Sequence, residues 1–324
     1  MRPRVYIHSW APEDVLSDLG RDYAVDCYDT SANPPLSAEA FGERLAGAVA
    51  VMIHTSTLDG DMIAANAETL KVIASIAVGT DHIDVAAATR HGILVTNTSG
   101  VLTEAVADFA IGMVLAVGRR IAEADRFTRA GHFQGNNFGL YWGGEVNGET
   151  LGIVGMGRIG QATARRARGF GMKLIYHNRN PVADSIADEV GATWRPLEDL
   201  LGQSRYVILL TPLTPETHHL IDESRLRLMR SDAYLINVSR GPVVHEAALL
   251  AALQAGRLAG AALDVYENEP ALADGLAALE NVVLTPHVAS ADVATRHNML
   301  RLAATNLKAA LAGEPVPNPV NRVG

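Results

Sequence analysis

The run Leu151-Gly152-Ile153-Val154-Gly155-Met156-Gly157-Arg158-Ile159-Gly160 decides how this 324-residue chain is read. Four residues of strand character lead into G-x-G-x-x-G, and the helical pattern Gln161 to Phe170 follows at once. The glycine string alone is a weak signal, but between a strand and a helix it has a mechanism. Gly155 permits the tight turn, Gly157 lets the backbone approach a pyrophosphate, and Gly160 allows the helix to pack closely. The helix N-terminus then presents unpaired backbone N–H groups to phosphate oxygens.

The next strand points to which dinucleotide is bound. A site that prefers NAD usually ends this strand in Asp or Glu, which accepts a hydrogen bond from the ribose 2′-OH. Here the strand ends Tyr176-His177-Asn178-Arg179-Asn180, with no acid. The Arg179 guanidinium can pair with a 2′-phosphate, helped by Asn178 or His177, so the sequence predicts a preference for NADP(H), with NAD(H) also possible. The alternative is that Arg179 begins a solvated loop and both cofactors serve.

Moving outward, β-branched runs alternate with helical patterns along most of the chain. Before the glycine loop they are Val5 to His8, Ala24 to Cys27, Val49 to His54, Val72 to Ala77 and Ile93 to Val95; after it they are Leu174 to His177, Val207 to Leu210, Tyr234 to Val238, Ala261 to Val265 and Val282 to Leu284. Such alternation predicts α/β architecture with parallel sheets covered on both faces. Between the two series lie one long helical pattern, Thr103 to about Ala130, and an irregular stretch, Gly131 to Asn147, rich in glycine and aromatics. A final apolar helix is expected over roughly Asp292 to Ala312.

Three polar residues stand just beyond apolar strands of the second series, where an open α/β sheet places its ligands. Arg240 follows Ile236-Asn237-Val238-Ser239, Glu269 lies in Tyr266-Glu267-Asn268-Glu269-Pro270, and His287 closes Leu284-Thr285-Pro286-His287. Reducing a 2-oxo acid needs a cation for the carboxylate and carbonyl, and an acid that protonates the oxygen as hydride arrives. Arg240 supplies the first and His287 the second; a paired Glu269 would favour the imidazolium and orient it. Taken singly, each has a plainer reading: a surface ion pair, a turn residue before proline, a strand-end cap.

Composition limits the partners. A net charge of −9 and a pI near 5.6 give no basic footprint for nucleic acid or an anionic membrane. The single cysteine, Cys27, excludes an internal disulfide and reads as inert core. The apolar stretch Phe109 to Val117 is shorter than the roughly 20 residues a bilayer requires, and Met1 to Tyr6 enter a strand-like run instead of a secretion signal. A cytoplasmic protein is expected, and no metal is called for.

Together these strings resemble the D-isomer-specific 2-hydroxyacid dehydrogenase family, most closely its bacterial glyoxylate/hydroxypyruvate reductases. Val78-Gly79-Thr80-Asp81-His82-Ile83-Asp84 is similar to the loop whose backbone N–H groups bind substrate carboxylate, which implicates Val78 and Gly79. The resemblance further implies cofactor contacts from Thr103, Arg158, Ile159, Thr211, Pro212, Thr217, Val238, Ser239, Arg240, Asp264, His287 and Ser290, with Asp264 holding the nicotinamide carboxamide. His54 and Ser56 fall where the family places substrate-facing residues. In contrast to many relatives, Ser99 stands for proline, Asp108 for glutamate, Thr211 for Cys, His or Asn, and His245 for Asp or Asn.

The resemblance implies two Rossmann-like, doubly wound parallel-sheet domains separated by a cleft. Residues 1–99 plus 290–324 would form a discontinuous, flavodoxin-like substrate domain. Residues 100–289 would form the dinucleotide domain, including a dimerisation helix and loop at 103–147. The implied activity is hydride transfer from NADPH to glyoxylate or hydroxypyruvate by a homodimer, with 2-ketogluconate reduction or a non-catalytic dinucleotide-sensing scaffold as alternatives.

Overall fold

The computed structural model describes residues 2–323. In chain order the first series comprises β1 (Arg4–His8), α1 (Glu13–Asp22), β2 (Ala24–Tyr28), α2 (Ala38–Leu45), β3 (Ala50–Ile53), α3 (Gly60–Ala65), β4 (Val72–Ser75), α4 (Val85–Arg90) and β5 (Leu94–Thr96). Next come α5 (Thr103–Gly118), α6 (Ile121–Arg129), β6 (Thr150–Val154), α7 (Arg158–Gly169), β7 (Lys173–His177), α8 (Asp184–Val190), β8 (Ala192–Trp194), α9 (Leu197–Gln203) and β9 (Tyr206–Leu209). Then follow α10 (Glu223–Leu226), β10 (Tyr234–Asn237), α11 (Glu246–Gln254), β11 (Gly260–Leu263), β12 (Val282–Leu284) and α12 (Val293–Ala312). The chain divides into two compact units, one of Met1–Leu102 with Asp292–Gly324 and one of Thr103–Ala291. Among the described residues no helix is long and apolar enough to cross a membrane.

The first unit is a parallel sheet in the order β2-β1-β3-β4-β5. β3 and β4 are buried at every position, which is why both read as unbroken apolar runs instead of alternating ones. The last helix, α12, returns to pack over β3, β4 and β5 through Met299, Leu300, Ala303, Ala304 and Leu307. Burying each of the Met299, Leu300 and Leu307 side chains contributes roughly 1.5–3 kcal/mol. Asp292 caps the helix by accepting from Thr295 N–H at 2.8 Å, and the fully buried Asn306 donates to Asn97 O at 2.9 Å. The tail after α12 covers the open edge of β5, where Val95 N–H donates to Asn321 Oδ1 at 2.7 Å and Val320 N–H to Val95 O at 2.8 Å. Cys27 is half-buried, and burial pushes its thiol up, away from the reactive thiolate.

The second unit is a seven-stranded parallel sheet in the order β12-β11-β10-β9-β6-β7-β8. The order reverses between β6 and β9, the switch point at which open α/β sheets gather ligands. Two elements differ from the sequence reading. The three-residue edge strand β8 is too short to show as a β-branched run. The helical pattern from Thr103 to Ala130 is two helices, because Arg120 adopts the left-handed conformation (φ 53°) between them. The break has local causes. Gly118 lies so close to β9 that a Cβ would sit 2.4 Å from the Tyr206 hydroxyl, and Gly118 O accepts from Gly144 N–H at 2.7 Å. Arg120 then turns back to pair with both Glu123 oxygens at 2.7 Å and lies over the Tyr141 ring.

Candidate active site

The glycine loop leaves β6 at Gly155, whose φ of 107° and 2.6 Å separation between a would-be Cβ and Leu210 O both demand glycine. A Cβ at Gly160 would fall 2.2 Å from Gly155 O, so α7 can approach the turn only without one. Gly157, by contrast, faces open space and caps α7 with no side-chain hydrogen bond, leaving the first-turn N–H groups beside Arg158 and Ile159 unblocked. This bare cradle fits a pyrophosphate. At the end of β7, Asn178 Oδ1 accepts from Met156 N–H at 2.7 Å, so its side chain holds the glycine loop. His177 Nδ1 donates to Arg195 O at 3.0 Å, and Arg179 is exposed at the start of the following loop. Glu216 lies below its ordinary carboxyl value chiefly through its hydrogen bond with Thr214, with a lesser contribution from the Arg179 charge. Beyond β9, the loop holding Thr211 and Pro212 is tied by Thr217, whose hydroxyl donates to Pro212 O at 2.7 Å and accepts from Thr214 N–H at 2.7 Å. Thr103 opens α5 and is half-buried.

Arg240, Glu269 and His287 come from three loops that follow β10, β11 and β12, strands that are neighbours in the sheet. Asn237 shapes the first loop, donating to Arg240 O at 3.0 Å and accepting from the Ser239 N–H and hydroxyl at 3.1 and 2.8 Å. Val238 and Ser239 are buried. A Cβ at Gly241 would lie 1.8 Å from Tyr266 O, so the Arg240 loop presses directly on the backbone of the Glu269 loop. Glu269 accepts from Tyr266 N–H at 3.0 Å through Oε1 and meets His287 Nδ1 at 2.9 Å through Oε2. Burial pushes the Glu269 carboxyl up. The His287 hydrogen bond and charge, the Tyr266 N–H and the Arg240 charge outweigh it and leave the group below its ordinary value.

His287 itself has φ 54°, a conformation uncommon outside glycine and found where surrounding structure over-determines it. What holds it is Asp264, fully buried at the end of β11. Its Oδ1 accepts from the Thr285 hydroxyl at 2.6 Å and Val288 N–H at 2.9 Å, and its Oδ2 from Ala289 N–H at 2.9 Å, while Asp264 O accepts from His287 N–H at 2.8 Å. Both carboxylate oxygens thus bind the chain on either side of His287, and Ser290 follows half-buried. Because Nδ1 is engaged by Glu269, Nε2 is the nitrogen left for proton transfer; the His287 and Glu269 side chains are 38% and 36% exposed. Beside them lies a recess of about 340 Å³ with apolar walls from Pro270, Leu272, Leu284 and Pro286.

The remaining sequence-predicted residues lie in the first unit. Val78 O accepts from Asn97 Nδ2 at 3.0 Å, and Val78 and Gly79 are half-buried. His54 Nε2 accepts from Arg296 at 3.3 Å, tying the end of β3 to α12, and Ser56 is half-buried beyond it.

The NAD-binding domain model of the D-isomer specific 2-hydroxyacid dehydrogenases matches residues 111–289. Over 330 aligned residues the chain is 46% identical to a glyoxylate reductase of Thermococcus kodakarensis, covering 99% of this chain and 97% of that one. The chain belongs to the D-isomer specific 2-hydroxyacid dehydrogenase family. Among solved structures, a Thermus thermophilus protein superposes with a TM-score of 0.91 at 41% identity, over 98% of this chain and all of the other. The NADPH-dependent glyoxylate/hydroxypyruvate reductase of Sinorhizobium meliloti, in complex with NADP and malonate, gives 0.86 at 35% identity over 99% and 97%. This D-2-hydroxyacid dehydrogenase is therefore an NAD(P)-dependent oxidoreductase acting on CH–OH groups, a 2-oxo acid reductase in the reverse sense.

Two features of this dehydrogenase had no sequence signature. The loop-holding role of Asp264 follows from its complete burial beside three donors, which the string Leu263-Asp264-Val265 does not announce. The substitution of His245 for Asp or Asn is accounted for by α11, which His245 caps by accepting from Ala248 N–H at 3.1 Å.

Proposed function

We propose that the enzyme reduces glyoxylate and hydroxypyruvate with NADPH, using Arg240, Glu269 and His287. The observation that carries this reading is the Glu269–His287 contact of 2.9 Å beside the Arg240 loop, in the unit that holds the dinucleotide fingerprint. Bound nicotinamide supplies the hydride. Arg240 binds the substrate carboxylate and polarises the carbonyl, and Val78 and Gly79 keep the substrate-binding role that resemblance to the family implies. His287 donates its Nε2 proton to the carbonyl oxygen, and Glu269 stabilises the imidazolium and fixes the ring through Nδ1. In the direction of oxidation the neutral ring accepts the same proton.

Arg179, with no carboxylate at the end of β7, supports NADPH over NADH, as does the NADP bound by the Sinorhizobium meliloti reductase. The first unit is assigned to substrate and the second to dinucleotide. The exposed aromatics Phe133, Phe138 and Trp142 support a homodimer joined through this loop and α5, and the acidic, single-cysteine composition suits a cytoplasmic enzyme.

The test is a steady-state panel of glyoxylate, hydroxypyruvate, pyruvate and 2-ketogluconate, each with NADPH and NADH. Faster turnover of the two-carbon acid and of hydroxypyruvate with NADPH is expected. Equal use of NADH would overturn the role given to Arg179, and exclusive use of 2-ketogluconate would overturn the substrate.

A further inference from the structure

His219 is the other histidine of the second unit with a left-handed backbone, φ 50°. Its N–H donates to Pro242 O at 2.7 Å, which fastens it to the turn after Arg240. Its Nε2 meets Glu267 Oε1 at 2.6 Å, two residues before Glu269. Glu267 and Glu246 then clasp each other: Glu246 N–H donates to Glu267 Oε2 at 2.9 Å, and Glu267 N–H to Glu246 Oε2 at 3.0 Å. The second Glu246 oxygen accepts from Ala273 N–H at 2.8 Å, so both ends of the Glu267–Ala273 segment are held. The rings of His218 and His245 flank His219 at 3.9 and 4.6 Å. Among the described residues no group of three or more such side chains could hold a metal ion. Burial pushes the Glu267 carboxyl up, but the Glu246 N–H and the facing His219 bring it below its ordinary value, so it stays an acceptor for both.

A strained histidine, a buried glutamate and a reciprocal carboxylate clasp meet where three loops converge: that of Thr217, that of Arg240 and that of Glu269. We propose that His219, Glu267 and Glu246 are positioning residues, a clasp that holds Glu269 against His287 and couples the loop beyond β9 to the reacting end of the site. Its effect on rate is transmitted through Glu269, and it rests on the role given above to the Glu269–His287 pair.

The experiment compares wild type, His219→Leu, His219→Gln and Glu269→Gln in glyoxylate reduction with the preferred reduced cofactor, as a function of pH. His219→Leu is expected to lower kcat by roughly tenfold to hundredfold, the range for slight misplacement of a reacting group. It should leave the cofactor KM unchanged and displace the pH profile in the same direction as Glu269→Gln. His219→Gln, which can still donate to Glu267, is expected to recover most of kcat. Should His219→Leu fail to fold, Glu267→Gln reads the same split. An impaired Glu269→Gln beside a His219→Leu enzyme with wild-type kcat and pH profile would overturn the clasp alone, as would a loss confined to cofactor KM. A fully active Glu269→Gln would overturn the catalytic pair and the clasp with it.

Discussion

The chemistry proposed for His287 and Glu269 depends on the two side chains being held at one distance, and each is held by backbone contacts from Asp264 and Tyr266. His287→Asn removes the proposed proton donor and is expected to lower kcat for glyoxylate reduction by roughly 10²–10⁴-fold, the range for general acid catalysis, with cofactor affinity intact by fluorescence titration. Asp264→Asn turns an N–H₂ donor toward a backbone N–H, leaving buried polar groups unpaired. It should cost roughly 1–3 kcal/mol in urea unfolding and lower kcat through the displaced His287 loop. Glu269 has a folded value below its ordinary 4.5, so it stabilises the fold above that pH and the contribution is lost as pH falls through the lower folded value. Glu269→Gln is expected to flatten the acid limb of stability below about 4.5, measured by urea titration at stepped pH. At this scale the candidate residue types were legible in sequence, because Arg240, Glu269 and His287 each stand three to six residues beyond an apolar strand. Their supports were not, since a buried carboxylate's partners lie twenty or more residues away.

Elements position these residues by close backbone approach. Gly241 is the tightest instance: its missing Cβ lets the Arg240 loop touch Tyr266 O. Gly241→Ala forces backbone apart, and at the upper end of overpacking costs, ~3 kcal/mol, the unfolding temperature of this unit should fall by roughly 6–12 °C, read by calorimetry. An unchanged midpoint would show that the two loops separate freely. The strand-helix alternation was legible because buried parallel strands are apolar throughout. The division of α5 from α6 was not, because Gly118 reads no differently from Gly112, which stays inside α5, until Tyr206 and Gly144 are placed beside it. β8 escaped because three residues carry no period.

For the whole molecule, the pattern of strands gave two parallel sheets, whereas the return of the last helix to the first unit came only from resemblance to a family; nothing in the composition of Val293–Ala312 says which sheet it covers. Assembly is argued from surface. With Phe138 89% and Trp142 70% exposed, the proposed dimer buries side chains that a monomer would leave in water. Phe138→Asp with Trp142→Asp is expected to shift light-scattering mass from dimer to monomer, and a wild-type monomer would contradict the assignment of this loop. The most direct measurement is the pH dependence of kcat in both directions, glyoxylate reduction and glycolate oxidation, for wild type and Glu269→Gln. With His287 as the shared proton carrier, reduction should fall as pH rises and oxidation should fall as pH drops. Glu269→Gln should lower kcat in both directions, since the ring loses the carboxylate that fixes it through Nδ1. Wild-type kcat in both directions with Glu269 neutralised would contradict the pairing on which the proposed chemistry stands.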